Sequence, residues 1–153
     1  DQAYRAIEWR SLFLVAGMLP VGTALAKTGG AALIAEKIIL FVGNAGTLAL
    51  LASLVLLTVL LTQIINGAAT VTVFVPIAIV TAQKAGMEPY GVVMAVAMAS
   101  SMAFISPLGH AVNVMVMGAG GYTFRDYARV GILLTILLVF VLLIILPFLM
   151  PVG

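Results

Sequence analysis

The sequence has no cysteine, one histidine, one tryptophan, and only seven basic and five acidic side chains in 153 residues. Each scarcity removes a class of protein. Without cysteine there is no disulfide scaffold, zinc–thiolate centre or thiol nucleophile. One histidine, with no carboxylate inside an apolar run, leaves neither a general acid–base pair nor a metal cluster, so the chain does not read as an enzyme. The basic residues are scattered and the net charge is only +2, so no face for nucleic acid is expected. The opening "DQAYRAIEWR" lacks the basic start, apolar stretch and small-residue cleavage site of a signal peptide. Residues 1–10 read instead as a juxtamembrane segment leading into a span, as if cut from a longer chain.

What is present is grease. The chain is 64% hydrophobic, with a mean hydropathy of +1.29. A small domain in water exposes too much of its surface to hide that much apolar area, so the solvent over most of this chain is lipid. The apolar residues come in continuous blocks rather than in the alternation of a β-barrel. The expected fold class is an all-α integral membrane protein in one membrane domain over residues 1–153.

The charged residues punctuate the spans. A first span is expected from about Ser11 to Ala26, kinked at Pro20 and Gly22. "GGAALIAEKIILFVG" is too short to cross and reads as an interfacial helix. Thr47 to Ile65 is long enough to cross, and "INGAAT" separates it from a shorter run, Val71 to Thr81. A further helix is expected from Pro89 to Ile105, then a few apolar residues, Val114 to Met117. "GAGGYTFRDYARVG" reads as a polar surface loop, and the last span as Val130 to Met150.

Two interruptions stand out. "TQIINGAATVTVFVP" places Asn66-Gly67 between two apolar arms, the pattern of a re-entrant hairpin. "FISPLGHAVN" breaks a second helix at Pro107 and Gly109. Irregular backbone at membrane depth survives only when buried in protein or lining a wet cavity. Each break exposes a half-helix N-terminus, with free N–H groups and a positive dipole end, and C-terminal carbonyls that suit a small hard cation. With no carboxylate, lysine or arginine in these stretches, an anion there has to be met by peptide N–H groups, hydroxyls, amides and a co-bound cation. Plainer readings exist for each piece: a helix–helix loop at Asn66, a Pro-Gly kink satisfied by neighbouring helices, His110 as a hydrogen-bonded core residue. Threonines such as Thr62 and Thr70 more often bond back to their own helix than bind ions.

"IEWRSLFLVAGMLPVGTALAKTGGA", "TQIINGAATVTVFVPIAI" and "AVAMASSMAFISPLGHAVNVMVMGAGGYTFRDYARVG", in that order, resemble the C-terminal half of divalent anion/sodium symporters, in the ion transporter superfamily. The branch with cytoplasmic TrkA-C-type regulatory domains is the most similar. The resemblance implies two inverted repeats, of which this chain holds one and lacks the N-terminal one, in a homodimer with elevator-type motion. It implies sodium near Thr62, Ile65, Gly67 and Gly109, and an anion near Asn66, Gly67, Ala68, His110, Ala111 and Asn113. The family's Ser-Asn-Thr hairpin tip, aligned on Pro76, falls on Asn66, Gly67 and Ala68, so this tip departs from it.

A hairpin over 47–81 puts Arg5, Arg10, Arg125 and Arg129 on one face and Lys27, Lys37 and Lys84 on the other, a slim bias towards a cytoplasmic N-terminus in a bacterial inner membrane. The expected function is sodium-coupled transport of a small divalent anion, such as sulfate or a dicarboxylate, with no cofactor beyond the coupling ion. A passive channel and a non-transporting assembly subunit are the alternatives.

Overall fold

The computed structural model describes residues 13, 16–17, 20–21, 23–25 and 27–150. Half of the expected first span, including Gly22 of its kink, and all of residues 1–10 lie outside them. From Gly30 onward, every regular element among the described residues is helical: α1 Gly30–Val42, a 3₁₀ turn Gly43–Ala45, α2 Thr47–Thr62, α3 Gly67–Ala85, α4 Pro89–Ser100, a 3₁₀ turn Pro107–Gly109, α5 Ala111–Gly120 and α6 Phe124–Leu149.

The helices stack on small residues. α3 packs on both α1 and α4, and α4 on α2. Ala31 and Ala35 of α1, Ala78 and Ala82 of α3, and Gly91, Ala95 and Ala99 of α4 are all buried at four-residue spacing. In lipid there is no hydrophobic drive between helices, so association depends on close backbone approach, which this spacing of small side chains permits. Thr58 and Thr81 are buried too, and each hydroxyl donates to the carbonyl one turn back, Leu54 and Ile77. At the outer edge Lys84 bonds Glu36, tying the end of α3 to the middle of α1.

α6 packs on α2 and α4 through a single stripe, Gly131, Thr135, Val139, Leu142 and Leu146. From Val130 onward the rest of the helix is apolar and largely exposed: Leu133, Ile136 and Phe140 each show more than half their surface. A helix apolar on all sides but packed on only one faces lipid on the others. α3 and α6 are both long and apolar enough to cross a membrane. α6, at 26 residues, is about 39 Å long, more than a bilayer core needs.

Several expected boundaries move. The second arm of the hairpin is the longer one. α3 has 19 residues against 16 in α2, starts at Gly67 and runs through Pro76 to Ala85. Asn66 caps its start, its side-chain oxygen accepting from the Ala68 N–H at 2.9 Å. Its end is set by Gly86 at φ 67, where the Gly86 and Met87 N–H groups donate back into the last turn. α4 stops at Ser100, not Ile105, and α5 is a ten-residue helix rather than a few apolar residues. The polar loop shrinks to residues 121–123, because Thr123 and Asp126 form a capping box that starts α6 before Val130.

Candidate functional site

The two interruptions face each other. Residues 63–66, between α2 and α3, form a tip; residues 101–110, between α4 and α5, form the helix break. Two glycines carry the contact. A Cβ on Gly67 would overlap the carbonyl oxygen of Ser100, and one on Gly109 would overlap that of Thr62. Only hydrogen fits at either place, so the tip and the break approach backbone to backbone.

Side chains then satisfy the carbonyls that α4 leaves behind. The Thr62 hydroxyl donates to Ser100 O at 2.7 Å, Gln63 Nε2 to Met102 O at 2.8 Å, and Asn113 Nδ2 to Ala103 O at 2.9 Å. Just upstream, the Ser100 hydroxyl meets Ala97 O, and the Ser101 and Met102 N–H groups meet Met98 O and Ala99 O. Buried peptide groups without partners are costly in lipid. Here three elements supply what a continuing helix would have supplied. Gln63 also donates to Val59 O, and its Oε1 accepts from the N–H groups of Ile105 and Ser106 at 3.0 and 3.2 Å. All four hydrogen-bonding positions of its amide are in use.

α5 starts just after His110 and is held from two sides. Asn113 reaches back to Ala103, and Tyr127 of α6 donates its hydroxyl to Asn113 O at 2.9 Å. Between the break and α6 lies a mostly apolar cleft of about 310 Å³, lined by Phe104, Asn113, Tyr127 and Gly131 among others.

The expected site residues separate into three groups. Thr62, Gly67 and Gly109 are buried at the seam. Thr62 does not bond back to its own helix but crosses to Ser100, whereas Thr70 does bond back, to Asn66 O at 3.2 Å. Asn66 and Asn113 are half-buried, and each uses its side chain on the backbone. Ile65, Ala68 and His110 are exposed at the rim, and the His110 side chain makes no capping bond to α5, which Ala111 opens. Among the described residues no three His, Cys, Asp or Glu side chains gather to hold a metal, so a cation at the seam would rely on carbonyl and hydroxyl oxygens.

Gln63, Ser100 and Tyr127 were not read from the sequence as site residues. The cue for Gln63 was there: a lone amide at the end of the apolar run "LLTQII", just before the tip. Its partners lie about forty residues away, and no local pattern names them. Tyr127 was hidden by reading its segment as loop.

Such an architecture defines a class: an all-α integral membrane protein with two helix breaks packed against one another. Comparison with known proteins gives the family. Residues 1–96 match the citrate transporter family, and the chain belongs to it. It is similar to the uncharacterized transporter YfbS of Escherichia coli, 37% identical over 99% of this chain and 25% of that protein. It is also similar to an uncharacterized transporter of Synechocystis, 42% identical over 90% of this chain and 22% of that protein. A third relative is sodium/sulfate cotransporter 1 of Chlamydomonas reinhardtii, 33% identical over 86% of this chain and 15% of that protein. The chain thus spans a quarter or less of the length of these relatives.

Proposed function

We propose that this chain is the C-terminal repeat of a longer secondary active transporter, which moves a small divalent anion across a bacterial inner membrane in symport with sodium. The observation that carries the reading is the seam itself: α3 and α5 both open from it, and neither interrupted segment contains a carboxylate, lysine or arginine. Helix N-termini attract anions without formal charge, and carbonyl and hydroxyl oxygens suit sodium. In this reading Asn66, Gly67, Ala68, His110, Ala111 and Asn113 surround the anion. Sodium is met by the Thr62 hydroxyl and by backbone oxygens at Ile65, Gly67 and near Gly109.

Sulfate is the favoured substrate, a choice supported by the name of the Chlamydomonas relative and by a tip that departs from Ser-Asn-Thr. A carboxylate substrate is the second reading, favoured by the family's description as citrate transporters. An N-terminal inverted repeat, a homodimer, elevator motion and a cytoplasmic N-terminus complete the proposal. The first of these is supported by α5, whose Val112, Val114, Met115 and Val116 are exposed apolar side chains awaiting a neighbour.

The test is uptake of labelled sulfate and citrate by the full-length permease in proteoliposomes, with and without an inward sodium gradient. Sodium-stimulated sulfate uptake that falls in Asn66→Ala and His110→Ala variants is the expected result. Unchanged uptake in both variants removes the site assignment, and absence of sodium stimulation removes the coupling.

A further inference from the structure

We infer that Gln63 is the positioning residue that makes the tip and the helix break one rigid piece, and so couples events at the α3 N-terminus to events at the α5 N-terminus. The inference deepens the transport reading and rests on it for its functional half.

The argument starts from what one amide can do. A glutamine side chain has two donor and two acceptor positions, and Gln63 spends them on four backbone groups. One donor holds its own helix, at Val59 O; the other holds Met102 O at the start of the break. Its oxygen holds the N–H groups of Ile105 and Ser106, three and four residues further along the same loop. The loop is therefore gripped at both ends of its buried stretch by a single side chain that is itself 9% exposed. Isolating any of these backbone groups in lipid is costly, and the low local dielectric strengthens each bond while it is made.

Rigid linkage is what the geometry adds to simple capping. Thr62 and Asn113 each hold one carbonyl. Among the described residues, Gln63 alone ties the C-terminal end of α2 to both sides of the turn that leads to Pro107, Gly109 and the start of α5. Residue 63 is also three positions before the N-cap of α3 at Asn66. A displacement of one half-helix is thereby passed to the other through a single amide. If ions bind at the two N-termini, the binding of one then alters the position of the groups that meet the other. That is a coupling free energy between sites, carried by a named contact.

Two readouts in the full-length permease test this, one independent of transport. The first is hydrogen exchange of residues 101–110 in nanodiscs. In Gln63→Met, which keeps the volume and removes every bond, exchange at Ile105 and Ser106 should rise about tenfold or more, while 92–99 stay protected. Unchanged protection there overturns the clamp. The second is the dependence of the anion KM on sodium. Gln63→Met should weaken that dependence about tenfold, with the amount of folded transporter preserved; a residue with only a structural role would lower the amount and leave the dependence intact. An intact dependence overturns the coupling.

Gln63→Glu covers the case in which Gln63→Met does not fold. It keeps the acceptor for Ile105 and Ser106 but, when ionised, can donate to neither Val59 O nor Met102 O. Exchange at 105–106 should stay slow while exchange at neighbouring amides rises; fast exchange at 105–106 contradicts the assignment of the acceptor. If no anion is transported at all, the functional reading fails, and the exchange arm still decides the clamp.

Discussion

The carbonyl oxygen of Thr62 occupies the place that a Cβ on Gly109 would take. Gly67 stands in the same relation to Ser100, so the hairpin tip and the helix break meet at two points where no side chain fits. Both obstacles are backbone, which cannot swing aside as a long side chain would. Gly67→Ala and Gly109→Ala should each force the seam apart, destabilising the protein by about 1–3 kcal/mol and abolishing uptake. Gly118→Ala is the control: nothing lies within 4 Å of its Cβ, and it sits inside α5. That change should be silent or stabilise by about 0.5–1 kcal/mol. Thermal melting in detergent, alongside uptake, reads all three; two silent seam variants would refute the close approach.

Thr135 presents a different kind of strain. It lies on the buried stripe of α6, one turn beyond Gly131, and its hydroxyl has no hydrogen-bond partner among the described residues. Burying an unpaired hydroxyl is unfavourable, and valine has nearly the same shape without it. Thr135→Val should stabilise by about 1–2 kcal/mol. A lower melting temperature for that variant would mean that the hydroxyl is partnered in the intact permease.

The Glu36–Lys84 pair sets a dependence on pH. The hydrogen bond from Lys84, and then its positive charge, hold the Glu36 carboxyl below the ordinary value of 4.5. A carboxyl lowered in the folded state contributes stability that is present above its ordinary value and is lost as pH falls through the lowered one. Because both side chains are largely exposed, the effect is small and screened by salt. Melting curves between pH 7 and about pH 3 should show a small acid step that is flattened in Glu36→Gln and by added salt. An identical acid step in Glu36→Gln would assign it to another group.

The fold class, the two interruptions and the residues around them were legible in the sequence because lipid leaves few options. Apolar blocks must be helices, and a Pro-Gly or Asn-Gly break inside one must be sheltered. The helix ends were less legible, because hydropathy alone places them. The second apolar run was expected to end at Thr81, yet the left-handed Gly86 ends α3 only after Lys84 and Ala85. The Thr123–Asp126 box was a local signal overlooked beneath four glycines and two tyrosines. A lone amide marked Gln63 locally, but nothing near it in the sequence named its partners. Its importance comes from partners at sequence separations of 39, 42 and 43, which only the packed chain brings near.

The stapled loop also has an order in time. Thr62 and Gln63 emerge from the ribosome before Ser100, Met102, Ile105 and Ser106, the groups that will need them, while Asn113 and Tyr127 follow shortly after. Domains are built from the N-terminal side during synthesis. The α2 end and the tip thus supply the partners of Ser100, Met102, Ile105 and Ser106 from chain already made, and only Ala103 waits for a partner made later, Asn113.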